Sequence, residues 1–200
     1  LQLGNANTEY FEALRRKKIT AVAFEMIEDK VGGLPIVNAM SELAGSIVVP
    51  IAAELLCSVK GGRGIILGGI TGVPPTRVVI LGAGTVAEYA ARAAIGLGAE
   101  VRIFDNEIYK LRRIKHKLGN QVFTSSIDTI TLSQSLRSTD VVIGAVRADK
   151  GRARCVLTED MVMNMKPGSV IIDVSIDQGG CIETSRITSH TAPTFKVHDV

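Results

Sequence analysis

The chain has 200 residues, of which 46% are hydrophobic and 22% charged, and its net charge at pH 7 is +3. This composition predicts a globular protein with a sizeable core, and so small a charge argues against nucleic-acid binding. Three cysteines without a C-x-x-C pair argue against a zinc site or a disulfide framework and favour the cytoplasm. The chain begins with Leu rather than Met and shows no signal peptide or long apolar run, so we expect a soluble part excised from a longer protein.

Two helices and one strand are predicted in the first third of the chain. Residues 1–18 have a helical pattern, and residues 19–25 (ITAVAFE) indicate a short buried strand. A second helix is expected over residues 38–59, kinked or split at Pro50. The glycine-dense residues 61–75 follow, and because the composition shifts sharply there we place a domain boundary near residue 60.

Strands and helices alternate after Pro75. Strands are predicted at residues 77–81, 100–104, 121–124, 140–145 and 169–174. Helices are predicted at residues 85–96, 107–118, 127–137 and 158–165. This alternation predicts right-handed βαβ crossovers and a parallel sheet, and the solid apolar strands indicate burial on both faces. The predicted fold is therefore α/β, a doubly wound Rossmann sheet.

A glycine-rich turn follows the first of these strands and opens a helix. Gly82 and Gly84 belong to a G-x-G-x-x-A pattern, in which the first glycine permits a tight turn and the second lets a pyrophosphate approach. Thr85 and Val86 then begin the helix, whose free N–H groups favour phosphate. Asp105 ends the next strand, where a carboxylate accepts ribose hydroxyls and repels a 2′-phosphate, so NAD is favoured over NADP. The alternative is a glycine turn in an α/β domain that binds no nucleotide.

Two further strand ends are expected at the same crevice. Residues 144–146 follow the fourth strand, and residues 173–180 follow the fifth. Asp173 is interpreted as turn chemistry. Asp177 lies in a loop just past a strand, and its position alone supports catalysis and a turn role equally.

Two basic runs, residues 15–18 and 110–117, are interpreted as solvated helix faces because no aromatic residues interleave with the charges. No metal site is predicted. His116, His190 and His198 are expected at the surface rather than in catalysis.

Several motifs together resemble the alanine dehydrogenase family from about residue 19 to the C-terminus. They are residues 39–45 (AMSELAG), 61–64 (GGRG), 67–75 (LGGITGVPP), 165–173 (MKPGSVIID) and 176–186 (IDQGGCIETSR). The transhydrogenase NAD-binding domain is the nearest competitor, but that family lacks the aspartate found here as Asp177. The resemblance implies that residues 1–60 are a remnant of a substrate domain plus a linking helix, and that residues 61–200 are the NAD-binding domain.

The resemblance also implies residue roles. Asp177 matches the catalytic aspartate of the family. The positions that match cofactor contacts, in addition to the glycine turn and Asp105, are Ser41, Lys110, Val146, Val174, Ile176 and Arg186. The implied reaction converts L-alanine, NAD and water to pyruvate, ammonium and NADH. The implied assembly is a homo-oligomer, with a small-molecule substrate and neither nucleic acid nor membrane as partner.

One departure from the family keeps other hypotheses open. The family's catalytic histidine aligns near Gln2, and glutamine cannot carry a proton near neutral pH. A non-catalytic module that senses NAD(H), a transhydrogenase-like module and an opine- or lysine-type dehydrogenase therefore remain as alternatives. The fragment alone is expected to be inactive, because the substrate-binding residues of the family lie upstream.

Overall fold

Five parallel strands form one sheet in the part of the chain that the computed structural model describes, residues 7–147 and 153–200. The strands are β1 (Arg77–Leu81), β2 (Glu100–Phe104), β3 (Val122–Ser125), β4 (Val141–Gly144) and β5 (Val170–Asp173), in the order β3-β2-β1-β4-β5. Leu81 pairs with Phe104 on one side and with Gly144 on the other. The carboxyl ends of the central strands are therefore level, and the predicted doubly wound α/β fold is confirmed.

Helices cover both faces of this sheet. They are α3 (Thr85–Gly96), α4 (Ile108–Leu118), α5 (Thr129–Leu136) and α6 (Glu159–Met163). Val78 and Ile80 of β1 share a core with α3 and α4, whereas Val79 and Leu81 share the opposite core with α5 and α6. Burial on both faces requires apolar residues at successive positions, which is the pattern that residues 78–81 show after Arg77.

The chain divides into two compact units, one ending at Glu42 and the other covering Leu43–Val200. The first unit contains α1 (Thr8–Arg16) and a short 3-10 turn (Phe24–Met26). The strand predicted at residues 19–25 is wrong, because this segment joins no sheet and leaves Ile19 and Val22 more than half exposed. A β-strand is stable only beside a partner strand, and the described strands all belong to the second unit. The boundary predicted near residue 60, and the origin assigned to residues 1–60, stay predictions.

Helix α2 (Pro35–Leu56) is continuous through Pro50, so the sequence-based possibility of two separate helices is wrong. Pro35 suits the first helical position, where its missing N–H costs nothing. The helix is also long and apolar enough to cross a membrane by length and composition, a property shared with the core helices of soluble proteins. The expectation that the chain has no long apolar run is therefore corrected at α2.

Candidate functional site

The turn after β1 requires glycine at its first position. Gly82 has a φ of 103°, and a Cβ atom there would lie 2.4 Å from the carbonyl oxygen of Ala145. The Gly82 N–H donates to the carbonyl of Phe104 at 2.7 Å. A side chain would therefore collide with the loop after β4 and strain the backbone, so the turn depends on Gly82.

The second glycine faces open space at the start of α3. Gly84 precedes the helix, and a Cβ atom added to it would meet no atom within 4 Å. Thr85 and Val86, both half-buried, form the first turn. The N–H groups of a first turn have no acceptor within their own helix, and the helix dipole makes this end positive. The turn therefore fits a phosphate-bearing ligand.

Asp105 links the end of β2 to the glycine turn. Its Oδ2 accepts the N–H of Ala83 at 2.6 Å, and its Oδ1 accepts the N–H of Glu107 at 2.8 Å. The backbone N–H of Asp105 donates to the carbonyl of Ser125 at 3.2 Å. Because an ionised carboxylate has about four acceptor positions, it can still accept hydroxyl groups from a ligand.

Lys110 lies one helical turn beyond Asp105. It forms an ion pair with Glu107. Partial burial lowers the pKa of Lys110, but the hydrogen bond from Lys110 to Glu107 and the charges of Glu107 and Asp105 outweigh that effect, so the net shift is upward. Lys110 therefore carries a positive charge beside the carboxylate that the sequence predicts as the ribose ligand.

A residue that sequence reasoning missed completes this turn. Arg113 of α4 donates from Nη2 to the carbonyl oxygen of Ala83 at 3.0 Å. The peptide unit of Ala83 is thus held at its N–H by Asp105 and at its carbonyl by Arg113. The sequence gives no signal for this contact, because Arg113 is one basic residue within a basic run.

The ends of β4 and β5 bring together further predicted residues. Val146, Val174 and Ile176 are half-buried, and the Val174 N–H donates to the carbonyl of Gly144 at 2.8 Å. Asp177 is exposed, in the single turn Ile176–Gln178 that follows β5. It therefore lies in a loop just beyond a strand, as its sequence position indicates.

Arg186, another predicted cofactor contact, is exposed on a loop after β5. Its guanidinium lies 4.1 Å from the centre of the Phe195 ring. Stacking of this kind fixes the plane of the guanidinium. In this structure the described partner of Arg186 is thus an aromatic ring of its own chain.

Asp173 organises the backbone that follows β5. Its carboxylate accepts the N–H groups of Ser175 (3.0 Å), Cys181 (2.9 Å) and Ile182 (3.3 Å). Burial, together with the charge of Asp173, raises the pKa of the Cys181 thiol to about 12. Asp173 therefore acts as turn chemistry, as predicted, and Cys181 is a neutral packing residue rather than a nucleophile.

Ser41, Gln2 and the three histidines complete the set of residues named from the sequence. Ser41 is half-buried on α2, in the unit that ends at Glu42. Gln2 falls outside the described residues. His116, His190 and His198 are exposed, as expected. Residues 7–147 and 153–200 contain no group of three or more potential metal ligands.

A parallel sheet with a glycine turn after its first strand and an acid after its second defines a dinucleotide-binding domain. The chain belongs to the family described as alanine dehydrogenase/PNT, C-terminal domain, whose model matches residues 48–200. This family binds NAD(H), and the open space at Gly84 together with the spare acceptors of Asp105 fits that cofactor.

Curated and solved relatives agree with this membership. The chain is 43% identical over 188 residues to alanine dehydrogenase of Mycolicibacterium smegmatis, covering 94% of this chain and 51% of that protein. It is 41% identical over 196 residues to alanine dehydrogenase of Bacillus subtilis, covering 98% of this chain and 52% of that protein. A solved L-alanine dehydrogenase superposes with a TM-score of 0.93 at 40% identity, covering 98% of this chain and 55% of that one.

A solved transhydrogenase from Sinorhizobium meliloti has a TM-score of 0.75 at 24% identity, covering 90% of this chain and 52% of that one, which shows a shared fold alone. The chain spans about half the length of the curated relatives it matches.

Proposed function

We propose that this chain is the NAD-binding part of an amino-acid dehydrogenase that converts L-alanine, NAD and water to pyruvate, ammonium and NADH. The observation that carries the proposal is the clamped glycine turn, in which Asp105 and Arg113 hold the Ala83 peptide beside the open first turn of α3. Relatives that match nearly the whole chain are named alanine dehydrogenases, which supports the choice of reaction.

Different residues around the turn would bind different parts of the cofactor. The backbone at Gly82 and Gly84, with the first N–H groups of α3 at Thr85 and Val86, would hold the pyrophosphate. Asp105 would accept the two ribose hydroxyls and disfavour a 2′-phosphate, which selects NAD. The side chains proposed to line the remainder of the cofactor site are Ser41, Lys110, Val146, Val174, Ile176 and Arg186.

Asp177 is the proposed catalytic residue. NAD, when bound, supplies the acceptor for the hydride that leaves the α-carbon of alanine. Water then adds to the imino carbon, and nitrogen leaves as ammonium. Asp177 is exposed in the turn after β5, where an ionised carboxylate can orient this water and accept its proton.

The rest of the longer protein would supply the substrate-binding residues, so we expect the chain alone to bind NAD(H) without turnover. The intact protein is proposed to be a cytoplasmic homo-oligomer that acts on a small molecule. An NAD(H)-sensing role is the second candidate, because Gln2 stands near the position of the family's catalytic histidine. An opine- or lysine-type substrate would be recognised by screening amino acids and 2-oxo acids against NADH oxidation.

Titration with NADH tests the cofactor site. We expect the purified chain to bind NADH in the micromolar range, and Asp105→Asn to weaken binding about tenfold because the ribose loses a charged acceptor. Asp128→Asn is the matched control, since Asp128 caps α5 at an exposed position and asparagine caps equally well. No binding at millimolar NADH, or equal weakening by both variants, contradicts the proposal.

Asp177→Asn in the intact protein tests the catalytic assignment. We expect turnover of alanine to fall by at least about a hundredfold, because the water loses its base, while the dissociation constant of NADH stays unchanged. Full turnover by this variant excludes Asp177 as the base. An intact wild type that binds NADH but oxidises no amino acid favours the sensing role instead.

A further inference from the structure

The basic run on α4 separates into two sets of side chains. Three of its cations have partners within the domain: Lys110 pairs with Glu107, Arg113 donates to the Ala83 carbonyl, and Lys117 contacts Glu88 at 2.9 Å. The Arg113 contact attaches α4 to the glycine turn and the Lys117 contact attaches it to α3, whereas the Lys110 pair joins α4 to its own N-cap residue. The interpretation of residues 110–117 as a solvated helix face therefore does not hold for these three side chains. The other basic side chains of the run belong to the second set.

Arg112, Lys115 and His116 form the second set. They lie at positions i, i+3 and i+4, which places them on one face of the helix. All three are exposed, and none forms an ion pair with another described residue. The charges of Arg112 and Lys115 therefore lie on one face of α4, and neither has an ion-pair partner among the described residues.

These three side chains line a groove of about 560 Å³ between α4 and the carboxyl end of β3. Its other polar lining is uncharged, from Asn120, Thr124, Ser125 and the neighbouring Ser126. Ile108 and Leu111 supply an apolar wall. A concave site with cations, hydroxyl groups and no lining carboxylate is complementary to a small anion.

We propose that this groove binds a small molecule carrying a diphosphate or triphosphate group. The guanidinium of Arg112 and the ammonium of Lys115 would pair with phosphate oxygens, and the hydroxyl group of Thr124 would donate to the same group. The Ser125 hydroxyl donates to the Ser126 carbonyl at 3.1 Å in this structure. The apolar wall distinguishes two sources of this group. A nucleotide can pack its base or sugar against Ile108 and Leu111, whereas free polyphosphate has no apolar part to bury there.

The groove is distinct from the proposed NAD site. The NAD site is built on the glycine turn and Asp105, whereas none of Arg112, Lys115 and His116 contacts that turn in the described hydrogen bonds. The two sites approach each other at Ser125, whose carbonyl accepts the Asp105 N–H. Because the two sites are built on different side chains, we expect both to be occupied at once, and the proposal does not rest on the proposed dehydrogenase activity.

Calorimetric titrations of the intact protein, one without NADH and one with saturating NADH, test the proposal with inorganic tripolyphosphate and with ATP as probes. We expect saturable binding of one tripolyphosphate per chain, and Arg112→Gln/Lys115→Gln to weaken it at least about tenfold through loss of two charge-assisted contacts. Arg16→Gln/Lys17→Gln is the control, since it removes two exposed charges of the same kind from α1 and its C-cap. Tighter binding of ATP than of tripolyphosphate would assign the natural ligand to the nucleotides.

Three results would contradict the proposal that this groove binds an anion. These are the absence of saturable binding, equal weakening by both double variants, and binding that disappears when NADH saturates the protein. The last result would place the anion in the dinucleotide crevice. NADH affinity is measured separately for each variant, so a protein that fails to bind NADH but still binds tripolyphosphate contradicts the proposed function and not the groove.

Discussion

The peptide unit of Ala83 is the smallest feature on which the proposed NAD site depends. Arg113 holds its carbonyl, and Asp105 holds its N–H. We expect Arg113→Gln to weaken NADH binding about threefold to tenfold, because the loss of one hydrogen bond from a charged donor loosens the turn that faces the pyrophosphate. Fluorescence titration of the purified chain with NADH measures the change.

Arg137→Gln is the control for Arg113, because Arg137 is an exposed arginine at the end of α5, away from the glycine turn. Its NADH affinity should equal that of the wild type. Unchanged affinity in Arg113→Gln would mean that Asp105 and Gly82 fix the turn without help, and Arg113 would then be a contact of no consequence for binding.

The three cysteines are expected to differ sharply in reactivity. Cys57 and Cys155 are exposed, whereas Cys181 is buried against Asp173 with a pKa of about 12. Because the thiolate is the reactive form, the native 200-residue chain should react rapidly with two equivalents of a thiol reagent at pH 8, and with a third only after unfolding. Cys57→Ser should remove one fast equivalent. Three fast equivalents in the native chain would contradict the burial of Cys181.

At the scale of single residues, the sequence predicts a contact only where backbone geometry dictates the residue type. Gly82 was identifiable because a tight turn excludes a side chain, Gly84 because the pattern leaves room there for a phosphate, and Asp105 because it follows the next strand. Arg113 was not identifiable, because a long side chain can reach many partners and its target is a backbone carbonyl about thirty residues away along the chain.

At the scale of elements, apolar continuity predicted the strands of the sheet well. Residues 77–81 form a strand at the predicted position, and residues 141–144 form one inside the predicted range 140–145, since burial on both faces leaves one consistent pattern. The same pattern failed at residues 19–25, because an apolar run specifies a strand only where a partner strand is available. Helix α6 is shorter than predicted, and only Glu159–Met163 has helical backbone.

The start of β4 contains a buried ionic cluster that should contribute strongly to stability. Asp140 is 6% exposed and accepts the Arg77 N–H at 2.9 Å, Arg63 Nη1 at 3.0 Å and Lys166 Nζ at 2.9 Å. We expect Asp140→Ala to lower the free energy of unfolding by about 2–4 kcal/mol, because it leaves a backbone N–H and two half-buried cations without their acceptor. Urea denaturation of the purified chain measures the loss.

Asp160→Ala is the matched control for Asp140. Asp160 is exposed in the first turn of α6, so its loss should change stability by less than about 1 kcal/mol. Equal effects of the two substitutions would show that the cluster at Asp140 is solvated and contributes little.

Glu100, at the start of β2, should make a pH-dependent contribution to the free energy of unfolding. Partial burial raises the pKa of Glu100, but hydrogen bonds from Arg102 and Arg77 outweigh this effect and lower it below its ordinary value. A lowered pKa in the folded state stabilises the fold above the ordinary pKa of about 4.3, and this contribution disappears as the pH falls through the lowered value. Glu100→Gln should therefore be less stable than the wild type at pH 7, by less than about 1 kcal/mol, and equally stable near pH 2. A difference that persists unchanged at pH 2 would show that packing, not charge, is responsible.

At the scale of the whole molecule, helix α2 exposes an apolar stripe that a solvated monomer would leave in water. Leu43, Ile47 and Ile51 are 70%, 61% and 43% exposed, and their spacing places them on one side of the helix. Contiguous apolar surface of this kind favours association, so we expect the chain to form a dimer.

Leu43→Gln/Ile47→Gln tests this dimer, because it inserts two polar groups into the middle of the stripe while leaving the buried side of α2 unchanged. The variant should shift the mass measured by light scattering from dimer toward monomer at the same concentration. Val59→Gln/Ile187→Gln is the control, since both residues are at least 80% exposed but lie outside α2. A wild-type chain that remains monomeric at high concentration would show that the stripe does not drive association, and the proposed oligomer would then require surfaces from the remainder of the longer protein.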